Sequence, residues 1–134
     1  MSEKVFQKVL EMPEEKRLAC DALHDLASLY RRSKKADAAR AALGRIVSDF
    51  PTQGMSRARA LVRLAGLHRD AKSYTRAEAL LRRCLDEHGD LWRQAVDALN
   101  ALVSLKIRQG EFGKARSVLD AHTDALRARF EGTP

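Results

Sequence analysis

The sequence predicts an all-α fold of stacked antiparallel helix pairs, an α-solenoid of about seven helices. The first observation is compositional, because 134 residues include only 7 Gly, 3 Pro and 5% aromatic residues. Few turn residues and few strand-favouring side chains disfavour a β-rich fold. The second is that apolar residues recur at the spacing of one helical face. The third is that the chain resembles itself when it is shifted along its own sequence by a constant interval.

A shift of 38 residues aligns three segments of the chain, so that Leu23 falls on Leu61 and Leu61 on Leu99. The aligned columns are Leu23, Leu61 and Leu99; Leu26, Leu64 and Leu102; Ala39, Ala77 and Ala115; and Leu43, Leu81 and Leu119. A small residue in the alanine column lets two helices approach closely, and stacked helix pairs bury each other's apolar faces. The sequence therefore predicts three repeats at 13–53, 54–89 and 90–129, followed by a flexible tail at 130–134.

Residues that favour helix ends lie at the limits of the periodic segments. Pro13 suits a first helical turn, where its missing N–H has no intrahelical partner to lose. Gly89 is predicted to end a helix in the left-handed conformation, and Asp90 to cap the next helix. Gly110 marks the turn within the third repeat. Trp92 is predicted to pack in the seam between repeats rather than to anchor a ligand.

The first twelve residues continue the pattern towards the N-terminus, since Pro13 precedes Pro51 by one period. Residues 1–12 are predicted to form a half-repeat or a capping helix that shields the first repeat. Two alternatives are a piece of a longer array and a surface that meets another subunit to form a homo-oligomer. The residues that would carry self-association are Phe6, Val9 and Leu10.

The charge of +7 raises the question of an acidic partner, but the basic residues are spread over every segment. A nucleic-acid site needs a clustered basic patch, so a diffuse solvated surface is the favoured interpretation. Cys20 and Cys84 occupy apolar helical positions and are predicted to be small buried thiols. The sequence has neither a signal peptide nor an apolar run long enough for a membrane span. We expect a cytoplasmic protein, or a periplasmic one if a leader was removed.

The repeated residues resemble the tetratricopeptide repeat over roughly residues 14–129. The matching residues are Leu23, Leu26, Ala27, Tyr30, Ala39, Leu43 and Pro51; Leu61, Leu64, Ala65, Tyr74, Ala77 and Leu81; and Leu99, Leu102, Gly110, Phe112, Ala115 and Leu119. Two features depart from the family pattern: the period is 38 rather than 34, and His68 and Lys106 stand where the first repeat has Tyr30. The longer period is similar to that of repeats in bacterial envelope and secretion assembly proteins.

The resemblance implies a right-handed superhelix whose concave wall is formed by the first helix of each pair, and it implies protein–protein interaction as a scaffold or adaptor. The sequence lacks a Gly-rich phosphate loop, a GxSxG elbow and an HExxH motif. We therefore expect no enzyme activity, no catalytic or metal site, no cofactor and no small-molecule substrate. His24 has acidic neighbours and is predicted to lie on a solvated charged face.

The polar faces of the first helices are the predicted binding surface. Three arginines four to six residues apart on one helix, Arg59, Arg63 and Arg69, offer guanidinium groups that can grip carboxylates with two hydrogen bonds. The predicted partner-binding residues are Arg31, Arg32, Arg59, Arg63, Arg69, Asn100 and Arg108. The partner is predicted to be a protein or an acidic peptide. In the alternative interpretation, the arginines pair with acids of the chain or are simply hydrated.

Two other functions remain open at this point. A helical repeat that binds RNA or DNA would account for the positive charge, but the scarcity of aromatic residues for base stacking argues against it. A self-assembling oligomer would form through the end helices of the solenoid.

Overall fold

The computed structural model describes residues 13–131, which form six α-helices. The helices are α1 (Pro13–Arg32), α2 (Ala36–Asp49), α3 (Gly54–Asp70), α4 (Tyr74–His88), α5 (Trp92–Arg108) and α6 (Phe112–Glu131). The prediction of an all-α fold is confirmed, and α1 begins at the predicted Pro13. The predicted half-repeat at 1–12, with Phe6, Val9 and Leu10, lies outside the described residues. Helix α6 continues to Glu131, so the first two residues of the tail predicted for 130–134 are helical. The other three residues of that tail lie outside the described part.

The helices stack in chain order, and each contacts the next. In addition, α1 contacts α3 and α3 contacts α5, whereas no contact joins α2 to α4 or α4 to α6 within residues 13–131. The first helices of the pairs are thus close together, and the second helices are spread apart on the other side. We call the surface formed by α1, α3 and α5 the inner wall. The stacking confirms the predicted solenoid of helix pairs.

The alanine column explains how the two helices of each pair come close. Ala39, Ala77 and Ala115 are all buried, with exposed fractions of 1%, 1% and 4%. Each lies in the second helix of its pair, where a larger side chain would separate the helices. Burial confirms the predicted state of both thiols, Cys20 and Cys84. Burial also raises the pKa of Cys84 to about 11, so this thiol stays protonated at neutral pH.

Three residues with positive φ end the first helices. They are Lys34 (61°), Lys72 (61°) and Gly110 (74°), and they recur at the period of the repeat. In each turn the following residue donates a backbone hydrogen bond five residues back, as from Lys35 to Tyr30 at 2.8 Å. This 6→1 bond is the mark of a Schellman cap. Lysine rarely adopts this conformation, so only the turn at Gly110 could be predicted from residue type.

Two glycine substitutions test the backbone conformations, one in a turn and one inside a helix. Gly110→Ala should lower the free energy of unfolding by about 1 kcal/mol, because it forces a Cβ into the left-handed region. Gly44→Ala should raise the free energy by about 0.5–1 kcal/mol, because Gly44 lies inside α2 and no atom lies within 4 Å of an added Cβ. Urea unfolding of the two variants checks both signs. Destabilisation by both changes would contradict the assigned backbone conformations.

The junction between α4 and α5 corrects two sequence predictions. Gly89 has a φ of −64° and a ψ of −15°, which is right-handed rather than left-handed. The N-cap of α5 is Leu91, with no side-chain hydrogen bond, and not Asp90. The Leu91 N–H donates to the His88 carbonyl at 3.0 Å and closes a tight turn over the buried Gly89. This turn provides a hydrogen bond to a carbonyl at the end of α4 without a left-handed residue.

None of the described helices is both long and apolar enough for a membrane crossing.

Candidate functional site

The inner wall contains a cavity of about 870 Å³, which we call the groove cavity. It lies where the N-terminal parts of α1, α3 and α5 face one another. The charged residues that line it are Arg17, Asp21, Arg59, Arg63, Arg93 and Asp97. Four cationic side chains against two anionic ones leave the lining with a net positive charge. The neutral part of the lining includes the side chain of Met55, which is 64% exposed.

A second cavity of about 220 Å³, here called the apolar cavity, continues along α3 towards its C-terminus. It shares Val62 and Arg63 with the groove cavity. Its other lining residues are Arg31, Ala65, Gly66, Arg69, Ala77, Leu81, Ala101 and Leu105. The lining is therefore made largely of small and apolar side chains. Val62 and Arg63 border both cavities, so the two cavities lie next to each other along α3.

Arg63 joins α3 to α1 through three hydrogen bonds. Its Nη1 donates to Nδ1 of His24 at 2.8 Å and to the His24 carbonyl at 3.1 Å, and its Nη2 donates to Oγ of Ser28 at 2.6 Å. Burial lowers the pKa of Arg63, and Arg59 and Arg31 add to this effect. Arg63 lines both cavities, but most of its hydrogen-bonding capacity is used within the fold. We therefore assign it to the floor of the groove.

His24 is 3% exposed, so the prediction of a solvated face for this residue is wrong. Its Nε2 lies 3.1 Å from the Ser56 carbonyl oxygen. A carbonyl only accepts hydrogen bonds, so Nε2 carries the proton and Nδ1 accepts from Arg63. The neutral ring thus links α1 to α3 with both nitrogens satisfied. Burial lowers the pKa of His24, and the cations Arg59 and Arg63 lower it further, against an opposing effect of the Ser56 carbonyl.

Acid should destabilise the fold through its histidines. Burial lowers the pKa of His24, His68 and His88, so these groups stabilise the fold fully above the unfolded value of about 6.5. That stability is lost as the pH falls below about 6.5 towards the folded pKa values, because the unfolded chain then binds more protons. His24→Gln can keep both hydrogen bonds with an amide that does not titrate. We expect this variant to lose less stability than the wild type between about pH 7.5 and 5.5 in urea unfolding. Equal losses of stability in the variant and the wild type would show that protonation of His24 does not contribute to destabilisation by acid.

Asp70 offsets one of the two positive charges that Arg31 and Arg69 bring to the C-terminal end of α3. Its Oδ2 accepts a hydrogen bond from Arg31 at 3.1 Å, and its Oδ1 accepts one from Arg69 at 3.1 Å. Both of these predicted binding arginines are therefore paired with an acid of the chain, as the alternative interpretation anticipated. They lie at the rim of the apolar cavity.

Arg59 is an exposed side chain at the groove cavity. Within the described residues, no hydrogen bond or ion pair joins Arg59 or Arg17 to another side chain. The guanidinium of Arg93 lies 5.9 Å from the centre of the Trp92 ring, within the range of a cation–π contact. These arginines keep their hydrogen-bond donors available for a ligand.

The structure brings together four of the predicted binding residues: Arg31, Arg59, Arg63 and Arg69 line one or both cavities. The remaining three, Arg32, Asn100 and Arg108, are exposed but belong to the lining of neither cavity. Arg32 and Arg108 are the last residues of α1 and α5 and lie beyond the two cavities.

Sequence reasoning missed one column of the groove cavity, formed by Arg17, Met55 and Arg93. These residues also recur at the period of the repeat, one helical turn before Asp21, Arg59 and Asp97. The signal was present, because the period that aligned the core columns also aligns this one. The column is hard to recognise because an arginine, a methionine and an arginine share no common chemistry.

Trp92 is 57% exposed, so the prediction that it packs in the seam between repeats is wrong. It is the first residue of α5, and the buried stripe of this helix begins only at Ala95. Its indole therefore lies before the part of α5 that faces the neighbouring helices.

Within residues 13–131, no three His, Cys, Asp or Glu side chains are grouped as a metal site would require.

The fold and the cavities define a helical-repeat protein with two adjacent cavities on its inner wall. Two tetratricopeptide repeat family models match the sequence, one over residues 21–52 and the other over residues 57–88. The matched segments correspond to most of α1–α2 and of α3–α4. The chain is a tetratricopeptide repeat protein, and such repeats are in general modules for protein–protein interaction. No curated protein matches the chain.

Proposed function

We propose that this protein is a non-enzymatic scaffold that binds an acidic segment of a partner protein in the groove cavity. The observation that carries the proposal is the set of arginines without an ion pair around this cavity. Arg17, Arg59 and Arg93 surround it, and no ion pair links them to the two lining aspartates within the described residues. A carboxylate ligand would supply the missing acceptors.

Most arginines on α2 and α4 differ from those in the groove cavity, although Arg76 of α4 also forms no ion pair within the described residues. On α2, Arg40 pairs with Asp37 and Arg45 with Asp49, and on α4, Arg82 pairs with Glu78. These are local pairs three or four residues apart, which stabilise a helix and neutralise its surface. The contrast supports a groove in which positive charge is kept for a partner.

The size of the groove cavity also fits a peptide ligand. Its volume of about 870 Å³ falls within the range of about 300–1,000 Å³ that is typical of ligand sites. The exposed Met55 side chain adds an adaptable apolar contact beside the arginines. A segment of a few residues can therefore bury both charged and apolar groups here.

Fluorescence anisotropy with labelled probes tests this function. The first probe is a short amidated peptide of aspartate, serine and glycine, the second replaces each aspartate by lysine, and the third is a single-stranded oligonucleotide. We expect the acidic peptide to bind, and to bind more weakly as salt is raised from about 50 to about 300 mM. Binding of the lysine peptide with equal affinity, or binding of the oligonucleotide alone, would overturn the proposal. The second result would favour a nucleic-acid partner.

A further inference from the structure

We infer that the ligand segment is bipartite, with an acidic residue and an apolar residue three positions apart in an extended conformation. This inference rests on the proposed function, since it describes what the two adjacent cavities along α3 would select. The groove cavity would take the carboxylate, and the apolar cavity would take the apolar side chain. The order of the two residues along the ligand is left to the test.

The two cavities differ in how the arginines at their borders are paired. At the groove cavity, Arg17 and Arg59 have no ion pair within the described part of the chain. At the apolar cavity, Arg31 and Arg69 both donate to Asp70. An acidic side chain therefore meets guanidinium groups without an acceptor at the groove cavity, whereas at the apolar cavity it would compete with Asp70 for Arg31 and Arg69.

The apolar cavity has the size of a side-chain pocket. Its volume of about 220 Å³ is below the range of about 300–1,000 Å³ of sites that hold whole ligands. Val62, Ala65 and Leu105 provide an apolar lining, and Gly66 leaves space because it has no side chain. One aliphatic side chain of a bound segment would fit into it.

The spacing of the two cavities sets the spacing of the ligand residues. Arg59 and Gly66 are seven residues apart on α3, which corresponds to about 10 Å along the helix axis. An extended segment of the polyproline II type rises about 3.1 Å per residue and returns to the same side every three residues. Residues i and i+3 of such a segment point to the same side about 9 Å apart. This spacing is close to the axial separation of Arg59, at the groove cavity, and Gly66, at the apolar cavity.

The test uses two amidated peptides of identical composition. In one, a leucine stands three positions from a pair of aspartates, and in the other it is adjacent to them. Each is titrated against the wild-type protein, Gly66→Leu and the matched control Gly44→Leu. An ideal Cβ on Gly66 meets nothing closer than Arg69 Nη2 at 3.9 Å, and one on Gly44 meets no atom within 4 Å. Both variants should therefore fold, which circular dichroism verifies.

We expect the wild type and Gly44→Leu to bind the spaced peptide about fivefold more tightly than the adjacent one, as burial of part of a leucine side chain predicts. Gly66→Leu should lose this preference while it still binds both acidic peptides, because its new side chain fills the apolar cavity. Equal binding of the two peptides by the wild type would overturn the inference, as would a preference that persists in Gly66→Leu. Failure of both peptides to bind would instead overturn the proposed function.

Discussion

Leu102→Ala should lower the free energy of unfolding by about 3–4 kcal/mol, within the usual range for a buried leucine. Leu102 is fully buried in α5, which contacts α3, α4 and α6. Removal of its three outer carbon atoms leaves a cavity that these surrounding helices cannot easily close. Urea unfolding followed by circular dichroism measures the loss.

The matched control is Leu26→Ala, since Leu26 occupies the same column of the repeat. Leu26 is 40% exposed, whereas Leu102 has no exposed surface. We expect a loss of about 2 kcal/mol for Leu26→Ala, in proportion to the smaller area buried. Equal losses for the two variants would show that the column position, and not the burial in this structure, determines the contribution.

The leucine columns mark both the success and the limit of the sequence analysis. The repeat period predicts which residues are equivalent, and it led to the helix pairs and their order. It does not predict how deeply each equivalent residue is buried. Leu43 and Leu81 are buried, but Leu119, in the same column, is 41% exposed. Leu119 lies on α6, the last helix, where only α5 among the described helices is in contact.

Arg59→Glu should weaken binding of the acidic peptide probe about tenfold or more, which corresponds to about 1.4 kcal/mol. The change removes a guanidinium at the groove cavity that forms no ion pair within residues 13–131, and it adds a repulsive carboxylate. The affinity is measured by anisotropy at about 50 mM salt, where charge effects are weakly screened.

Arg116→Glu provides the control for Arg59→Glu. Arg116 lies on α6, has an 86% exposed side chain, and reaches Asp120 only at 4.0 Å. Both variants change the net charge by the same amount, so a general electrostatic attraction would weaken equally in the two. We expect less than about a twofold effect for Arg116→Glu, because distant exposed charges are screened. Similar losses in both variants would contradict a specific groove.

The roles of the individual arginines could be predicted only in part. The helical spacing placed Arg59, Arg63 and Arg69 together on the inner wall, where all three line the cavities. It gave no information on hydrogen-bond partners from other helices, and these partners give the three arginines different roles. Arg63 contacts His24 on α1, and Arg69 shares Asp70 with Arg31. Such pairings arise when helices stack, and they leave Arg59 available for a ligand.

Lys106 illustrates a substitution that the sequence could not interpret. It stands in the column of Tyr30 and His68 and seemed only a departure from the family pattern. In the structure it is buried, with 8% exposure, and its ammonium group pairs with Glu78 on α4. The hydrogen bond from Lys106 is the main cause that lowers the pKa of Glu78. An ion pair thus occupies the column of Tyr30. Its shorter contact is to the preceding helix, beyond the reach of a local sequence pattern, while Glu111 lies 3.6 Å from the same ammonium group.

A map of backbone amide shifts tests the central claim most directly, namely that the inner wall is the binding surface. The ¹⁵N-labelled protein is titrated with the acidic peptide, and the shifts are assigned to helices. We predict the largest changes around Met55, Arg59 and Val62 of α3 and in the first turns of α1 and α5, with small changes in α2, α4 and α6. If the largest changes instead fall on α2, α4 or α6, the peptide binds elsewhere and the proposed groove is wrong.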